Sequence, residues 1–329
     1  MTDWGIVATG TYAPDTVVGN DEVAAALGVP ARWVHDATGI RERRRAAPGQ
    51  AASDLAAHAA RAALRNAGLT PADIGLIVLG TSTPDELGPS TACRVQALLG
   101  AAQAVPLDVG AACAGYLYGL AVARDWLAAR PGAPPALVIG VETYSRFLDP
   151  ADRATAAIFG DGAGASVIAP VPDGQGLRSI RLGADGTLAD TVLIPAGGSR
   201  HPEHPGAHRI RMDAAAIRKA LPERFDAMLA DTVAEHGLTL DDLDLLVPHQ
   251  PNPRTLRMYA AAAGIPEDKL VVIGERLGNI GAGSIPTALT HAADRLTPGA
   301  TVLLMAVGAG LTWGAALLRW PDTTTGEPT

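Results

Sequence analysis

The sequence predicts a layered α/β protein built from two related halves, and three observations carry that reading. A helix followed by Gly68-Leu69-Thr70-Pro71-Ala72-Asp73-Ile74-Gly75-Leu76-Ile77-Val78 returns, 169 residues later, as a helix followed by Gly237-Leu238-Thr239-Leu240-Asp241-Asp242-Leu243-Asp244-Leu245-Leu246-Val247. A further helical segment follows each copy, Thr91 to Leu99 and then Asn252 to Ala263. A glycine-rich element closes each half, Gly160 to Ile168 and then Gly308 to Leu318. One short match arises easily by chance; the same order across four elements does not. Two α/β units packed about a pseudo-two-fold account for it, dividing at 1–170 and 171–329.

The elements follow in order. Gly5 to Gly10 reads as a strand. Asn20 to Leu27 is a short helix with Asn20 as candidate N-cap. Ala31 to Arg45 carries Trp33 and the run Thr38-Gly39-Ile40-Arg41-Glu42-Arg43-Arg44. Ser53 to Ala67 is a helix that Ser53 can cap and Gly68 stop. Ile74 to Leu79 and Ala136 to Val141 are apolar throughout, as strands covered on both faces are. Val105 to Val109 is a strand leading to a helical pattern from Tyr116 to Ala129. In the second half, Leu243 to Val247 and Leu270 to Ile273 read as strands. Thr301 to Leu318 carries no charge over 18 residues. Gly308, Gly310 and Gly314 break it into two β-rich runs, a buried hairpin rather than a membrane span.

Composition narrows the function. The chain of 329 residues is 48% hydrophobic and 18% charged, enough for a large buried core. A net charge of −8 argues against non-specific nucleic-acid binding. Two cysteines, Cys93 and Cys113, imply no disulfide framework and suit a reducing cytoplasm. Met1-Thr2-Asp3-Trp4 does not open a signal peptide. Lys219 and Lys269 are the only lysines.

Cys113 is the first candidate for chemistry. Small residues surround it in Asp108-Val109-Gly110-Ala111-Ala112-Cys113-Ala114-Gly115, so a substrate carbonyl can approach the sulfur. The positive end of the following helix favours a thiolate. A small buried core thiol is the competing reading of this stretch alone. In a duplicated fold the ends of equivalent strands meet near the centre. His249 directly follows a strand of the second half, and Asn279 lies in the turn Gly278-Asn279-Ile280-Gly281-Ala282-Gly283-Ser284. Their chemistry is complementary: a cysteine takes an acyl group as a thioester, and a neutral imidazole and an amide donate hydrogen bonds to a developing enolate or oxyanion.

Other motifs read as structure. Cys93 sits on an apolar helix as a core residue. His201, His204 and His208 lie in a Pro/Gly-containing loop that reads as solvated, with no metal site. Gly160-Asp161-Gly162-Ala163-Gly164 precedes a strand rather than a helix, so it is not a dinucleotide loop. Pro321 to Thr329 is a polar tail.

Taken together, these residues resemble the β-ketoacyl-acyl-carrier-protein synthase III family of the thiolase fold. The carriers are Thr38-Gly39-Ile40-Arg41-Glu42-Arg43, Ala111-Ala112-Cys113-Ala114-Gly115, and Asp152-Arg153 leading to Phe159-Gly160-Asp161-Gly162-Ala163-Gly164. In the second half they are Val247-Pro248-His249-Gln250-Pro251-Asn252, Gly278-Asn279 and Gly310-Leu311-Thr312-Trp313-Gly314. The resemblance implies a homodimeric αβαβα enzyme with no permanently bound cofactor. Cys113 would be acylated by a primer carried on acyl-CoA or acyl carrier protein. His249 and Asn279 would stabilise the enolate formed when a malonyl group on carrier protein loses CO₂, and the enolate would attack the Cys113 thioester. The backbone N–H groups of Cys113 and Ala309 would form the oxyanion hole. Trp33, Thr38, Arg153 and Asn252 match positions that hold CoA or its pantetheine arm, and Lys219 and Arg254 match carrier-protein docking positions, which suits an acidic partner.

Two departures bear on the substrate. Ala37 stands where the family often has an arginine, which weakens the case for a CoA donor and raises that for a carrier-protein donor. Gly88, preceded by Leu87, stands where the family has a bulky aromatic that reaches across the dimer and gates the acyl pocket. A primer larger than acetyl is the expectation. The rivals are acyl transfer from Cys113 to a hydroxyl or amine, and a non-catalytic subunit of a polyketide assembly. The intact Cys113, His249 and Asn279 set argues against both.

Overall fold

A computed structural model describes residues 3–203 and 208–322. In the first half the chain forms β1 (Asp3–Tyr12), β2 (Thr16–Gly19), α1 (Asn20–Leu27), α2 (Ala31–Thr38), β3 (Glu42–Arg45), α3 (Ala52–Ala67), β4 (Leu76–Gly80), α4 (Thr91–Leu99), β5 (Val105–Val109), α5 (Gly115–Ala128), β6 (Ala136–Thr143) and β7 (Asp161–Val171). In the second it forms β8 (Gly176–Ala184), β9 (Val192–Leu193), β10 (Arg211–Met212), α6 (Ala214–Glu235), β11 (Leu245–Pro248), α7 (Pro253–Ala262), α8 (Gly274–Leu277), α9 (Ser284–His291), β12 (Thr301–Gly308) and β13 (Thr312–Arg319).

Runs that are apolar on both faces become the centres of two sheets. All five residues of β4 and all eight of β6 are buried. The first sheet has the order β1-β7-β6-β4-β5 and the second β11-β12-β13-β8. Read from β8, the second repeats the first: two antiparallel pairings, then a parallel one. Helices α5 and α9 lie between the sheets, where Leu117, Leu120, Ile285 and Leu289 pack with Val78 and Val138 of one sheet and Val247 and Leu304 of the other. Helices α3 and α4 cover the outer face of the first sheet, and α6 and α7 that of the second. The result is five layers, αβαβα. The uncharged stretch forms the β12–β13 hairpin, and no helix among the described residues is long and apolar enough to cross a membrane.

The duplication reaches single atoms. Thr70 closes its turn by donating to the Asp73 carboxylate from the backbone N–H at 2.8 Å and from Oγ1 at 2.7 Å. Thr239 does the same to Asp242 at 2.8 and 2.7 Å.

Three local expectations fail, each for a visible reason. Asn20 is not the N-cap of α1; Gly19 is, and the Asn20 amide instead donates to the Ile40 carbonyl and accepts from Arg43, both at 2.8 Å. Ser53 does not cap α3, which starts one residue earlier; Asp54 accepts the Ala51 N–H at 2.8 Å and holds the first turn. Leu270 to Ile273 is no strand but a single parallel bridge from Leu270 to Leu246. The Gln250 side chain takes the backbone partners a ladder would use there: it donates to the Val271 carbonyl and accepts from the N–H groups of Ile273 and Gly274. The loop histidine His204, the opening Met1 and Thr2, and tail residues 323–329 lie outside the described residues.

Candidate active site

Strand β5 ends at Val109, and a 3₁₀ turn, Ala112–Ala114, leads directly into α5. Cys113 is the middle residue of that turn. Ala112 before it has φ 47°, a conformation alanine adopts at a cost of about 1–2 kcal/mol. Gly308, at the end of β12, lies against the same turn; a Cβ there would stand 2.7 Å from the Cys113 nitrogen. Only glycine lets the second half come this close. The Cys113 N–H and the backbone at Ala309 thereby border one space.

Burial, with Glu142 adding to it, pushes the Cys113 thiol up to about 12, against a weaker pull from the Tyr144 hydroxyl, 4.0 Å from the sulfur. This reverses the lowering expected from the N-terminus of α5. A sulfur withdrawn from water loses solvation on ionising, and this opposes the pull of the helix end. The resting group is a thiol.

His249 follows β11, and its N–H donates to the Met305 carbonyl at 2.7 Å. Gln250 fixes this turn with four hydrogen bonds, including one to the Pro248 carbonyl. The His249 ring is buried, with Nδ1 3.1 Å from Ser284 Oγ, which also lies 2.7 Å from the Gly281 carbonyl; in the tautomer where Nδ1 accepts from Ser284, Nε2 carries the proton and is the ring's free donor. Burial lowers the imidazole to about 4, so it is neutral at physiological pH. Asn279 is held from both sides. Its backbone bridges to the first half, with its N–H donating to the Ile158 carbonyl at 2.7 Å and its carbonyl accepting from Gly160 at 3.0 Å. Its Oδ1 accepts the Gly281 N–H at 2.9 Å, which leaves the amide NH₂ as the free donor.

Cys113, His249, Asn279 and Ala309 all line one cavity of about 320 Å³. Its walls are otherwise largely apolar: Ile158 and Phe159 from the first half, Val192, Ile194 and Ile210 near β9 and β10, Ile217, Leu221 and Phe225 of α6, and Leu256 and Tyr259 of α7. A thiol, a neutral imidazole, an amide and backbone donors in an apolar chamber suit acyl transfer and the stabilisation of a developing oxyanion or enolate.

The other candidate residues are placed less uniformly. Trp33 on α2 lies beneath the Arg153 guanidinium, 5.8 Å from ring centroid to carbon. Helices α2 and α7 meet, with Arg254 donating to the Asp36 carbonyl and Asn252 Nδ2 lying 3.4 Å from the Ala37 carbonyl. Asn252 Oδ1 also caps α7 through the Thr255 N–H. The buried Thr38 hydroxyl is committed to the Val34 carbonyl and the Ile40 N–H, so it closes α2 rather than facing a ligand. Lys219 is exposed on α6. Leu87 is 83% exposed, and neither it nor Gly88 lines the cavity within the chain. Cys93 is partly exposed, within 3.2 Å of the Ser90 hydroxyl.

Sequence reasoning missed four residues here. Ser82 and Tyr144 line the cavity beside the sulfur, Ser284 supports His249, and Glu142 lies behind the site. Glu142 carried a readable signal: it is the only charged residue in the wholly buried strand Ala136–Thr143.

The family model described as 3-oxoacyl-[acyl-carrier-protein (ACP)] synthase III matches residues 107–186, and the model for its C-terminal part matches residues 233–320. The beta-ketoacyl-[acyl-carrier-protein] synthase III of Symbiobacterium thermophilum is 42% identical over 96% of this chain and 98% of its own. Acetoacetyl CoA synthase NphT7 of a Streptomyces species is 41% identical over 97% of this chain and 100% of its own. Among solved structures, the 3-oxoacyl-(acyl carrier protein) synthase III of Pseudomonas aeruginosa superposes with a TM-score of 0.90 at 38% identity, covering 97% of this chain and 99% of that one. The priming β-ketosynthase of the R1128 polyketide pathway does so with a TM-score of 0.90 at 31% identity, covering 98% and 97%.

Proposed function

The chain belongs to the 3-oxoacyl-[acyl-carrier-protein] synthase III family, and on that premise we propose how its own residues carry the reaction. It is an acyltransferase of the ketosynthase type, joining an acyl primer to a malonyl thioester with loss of CO₂, in fatty-acid or polyketide biosynthesis. The observation that carries the residue assignment is the convergence of Cys113, His249 and Asn279 on one cavity.

The Cys113 sulfur attacks the carbonyl of the incoming acyl thioester. A carbon–sulfur bond forms, the carrier thiol leaves, and the cysteine proton balances the departing thiolate. The malonyl thioester then enters and loses CO₂, and the electron pair of the broken carbon–carbon bond becomes an enolate. His249 and the Asn279 NH₂ donate to its oxygen. Donors suffice because no proton has to be removed from carbon. The enolate carbon attacks the Cys113 thioester, the Cys113 and Ala309 N–H groups hold the tetrahedral oxyanion, and its collapse breaks the carbon–sulfur bond and expels the Cys113 thiolate, which takes up a proton from solvent to restore the thiol. Simple transfer to a hydroxyl or amine would need no Asn279, and a non-catalytic subunit would need no Cys113.

The finer assignments rest on individual residues. Trp33, Arg153 and Asn252 bind the pantetheine or CoA arm at the α2–α7 junction, and Arg254 and Lys219 meet the acidic carrier protein. A homodimer is supported by β5, the edge of its sheet, whose outer side is open for a second copy, and by the exposed Leu87. Across such an interface, Gly88 leaves room for a primer larger than acetyl, while Tyr144 narrows the space on its own side. Both cysteines are free, in keeping with a reducing cytoplasm.

The test is intact-mass spectrometry of enzyme incubated with a chain-length series of acyl-CoA and acyl-carrier-protein donors. Malonyl-carrier protein or malonyl-CoA follows, since one relative's name specifies a CoA product. Wild type is expected to gain one acyl group that the Cys113→Ala variant does not, and to release CO₂ on adding the malonyl thioester. An acylated enzyme that discharges to hydroxyl acceptors and never consumes malonyl thioester would sink the assignment. A strict preference for acetyl would remove the larger primer.

A further inference from the structure

Glu142 is a fully buried carboxyl whose partners are all neutral donors. Three come from the segment after β4: the Ser82 N–H reaches both carboxyl oxygens at 3.1 and 3.0 Å, Thr83 Oγ1 donates at 2.9 Å and Thr81 Oγ1 lies at 3.4 Å. The fourth is the backbone N–H of Ala282, in the other half of the molecule. The side chain lies flat on that turn; a Cβ on Gly281 would meet its Cγ at 2.6 Å and Oε1 at 2.8 Å. Gly281 is the residue whose N–H orients the Asn279 amide, and Ser82 shares the cavity floor with Tyr144 and Cys113.

We infer that Glu142 is a positioning residue for the condensation half of the reaction, holding the Asn279 turn of the second half against the Ser82 segment beside Cys113. The inference rests on the assignment of Cys113 and Asn279 above. Its logic is geometric. An oriented amide stabilises an enolate only within a few tenths of an ångström of the right place, and a misplacement of about 1 Å can cost about 100-fold in rate. One carboxyl, its titration pushed up to about 8 by burial, joins both sides through its two oxygens. An amide in its place keeps one acceptor oxygen, so the Ser82 N–H loses one of the two oxygens it reaches and competes with the Ala282 N–H for the one that remains, while the Thr81 and Thr83 hydroxyls must turn to accept.

The experiment separates the two half-reactions in the Glu142→Gln variant. Cys113 acylation, read by intact mass against time, is expected not to fall, and to rise where loss of the carboxyl eases ionisation of the thiol. Release of CO₂ from the malonyl thioester by the acylated enzyme is expected to fall by about 10- to 100-fold. Thr83→Val, which removes one donor and leaves the carboxyl in place, is expected to show the same split with a smaller loss. In an Asn279→Ala background, Glu142→Gln is expected to lower decarboxylation no further, because the two act through one amide. Equal losses in both half-reactions, a wild-type condensation rate, or full additivity with Asn279→Ala would each overturn the inference. If Asn279→Ala alone condenses normally, the assignment of Asn279 fails instead, and the two failures are distinguished.

Discussion

Cys113 and Ala282 occupy the same place in the two halves, 169 residues apart, and the contrast between their turns explains how the site is made. Each is the middle residue of a 3₁₀ turn, Ala112–Ala114 or Gly281–Gly283, that runs into the buried helix between the sheets, α5 or α9. The residue before each has a positive φ, 47° at Ala112 and 51° at Gly281. Each turn is received by a glycine of the opposite half: Gly308 of β12 by the first, Gly140 of β6 by the second, where a Cβ would stand 2.0 Å from the Ala282 carbonyl oxygen. One backbone device is thus used twice and crosswise. What differs is the cargo. The first copy presents a thiol. The second presents a methyl at that point, gives its N–H to Glu142, and carries Asn279 three residues earlier. Neither half holds the set alone; the site exists where the two turns face each other.

The largest effect should come from forcing the second copy to resemble the first. Gly281→Ala keeps the positive φ and adds a methyl 2.6 Å from Glu142 Cγ and 2.7 Å from the Tyr144 hydroxyl. The backbone conformation and the overpacking together should cost about 3 kcal/mol or more, measured by urea denaturation, and condensation should fall with it. A loss under about 1 kcal/mol would show that the second turn yields easily, and the likeness of the two copies would carry no energetic meaning.

Much of this was legible beforehand because the signals are local. Buried strands announce themselves as uninterrupted apolar runs, and the repeat of Gly68–Val78 at Gly237–Val247 exposed the duplication. Cys113, His249 and Asn279 could be singled out because each stands in a motif of unusual residues, and all three line one cavity. What stayed hidden depends on pairs of distant atoms. Nothing near Tyr144 says that its hydroxyl comes to 4.0 Å from Cys113. Nothing near Gln250 says that it replaces a strand ladder, so Leu270 to Ile273 read as a strand. The thiol's surroundings divide in the same way: the helix N-terminus is written next to Cys113, whereas Glu142 and the burial that push its titration up arrive through the fold.

That titration gives the next test of the contrast. With its pKa raised to about 12, the ionised fraction of Cys113 falls about tenfold for each pH unit below that value. Alkylation of resting enzyme by iodoacetamide, followed on Cys113 by peptide mass, should therefore climb from pH 7 to pH 10 without levelling, about tenfold per unit. A plateau below pH 8 would mean that the end of α5 does hold a thiolate. The first turn would then be specialised electrostatically, and not only sterically.

The smallest effect should come from the reverse exchange, Ala112→Gly, which gives the first turn the residue the second already has. Glycine removes about 1–2 kcal/mol of strain at φ 47° but gains about 0.5–1 kcal/mol of freedom in the unfolded chain. The two nearly cancel, so stability should change by less than about 1 kcal/mol. Activity should respond more. Ala112 lines the cavity beside the sulfur, and a freer residue there lets Cys113 wander from the Gly308 backbone that the turn packs against. A several-fold fall in kcat/KM for the acyl donor at unchanged urea midpoint would show that the strained alanine is kept to aim the nucleophile. An unchanged kcat/KM would mean that the two turns differ at this position without consequence, leaving the cargo, thiol against methyl, as the whole distinction between them.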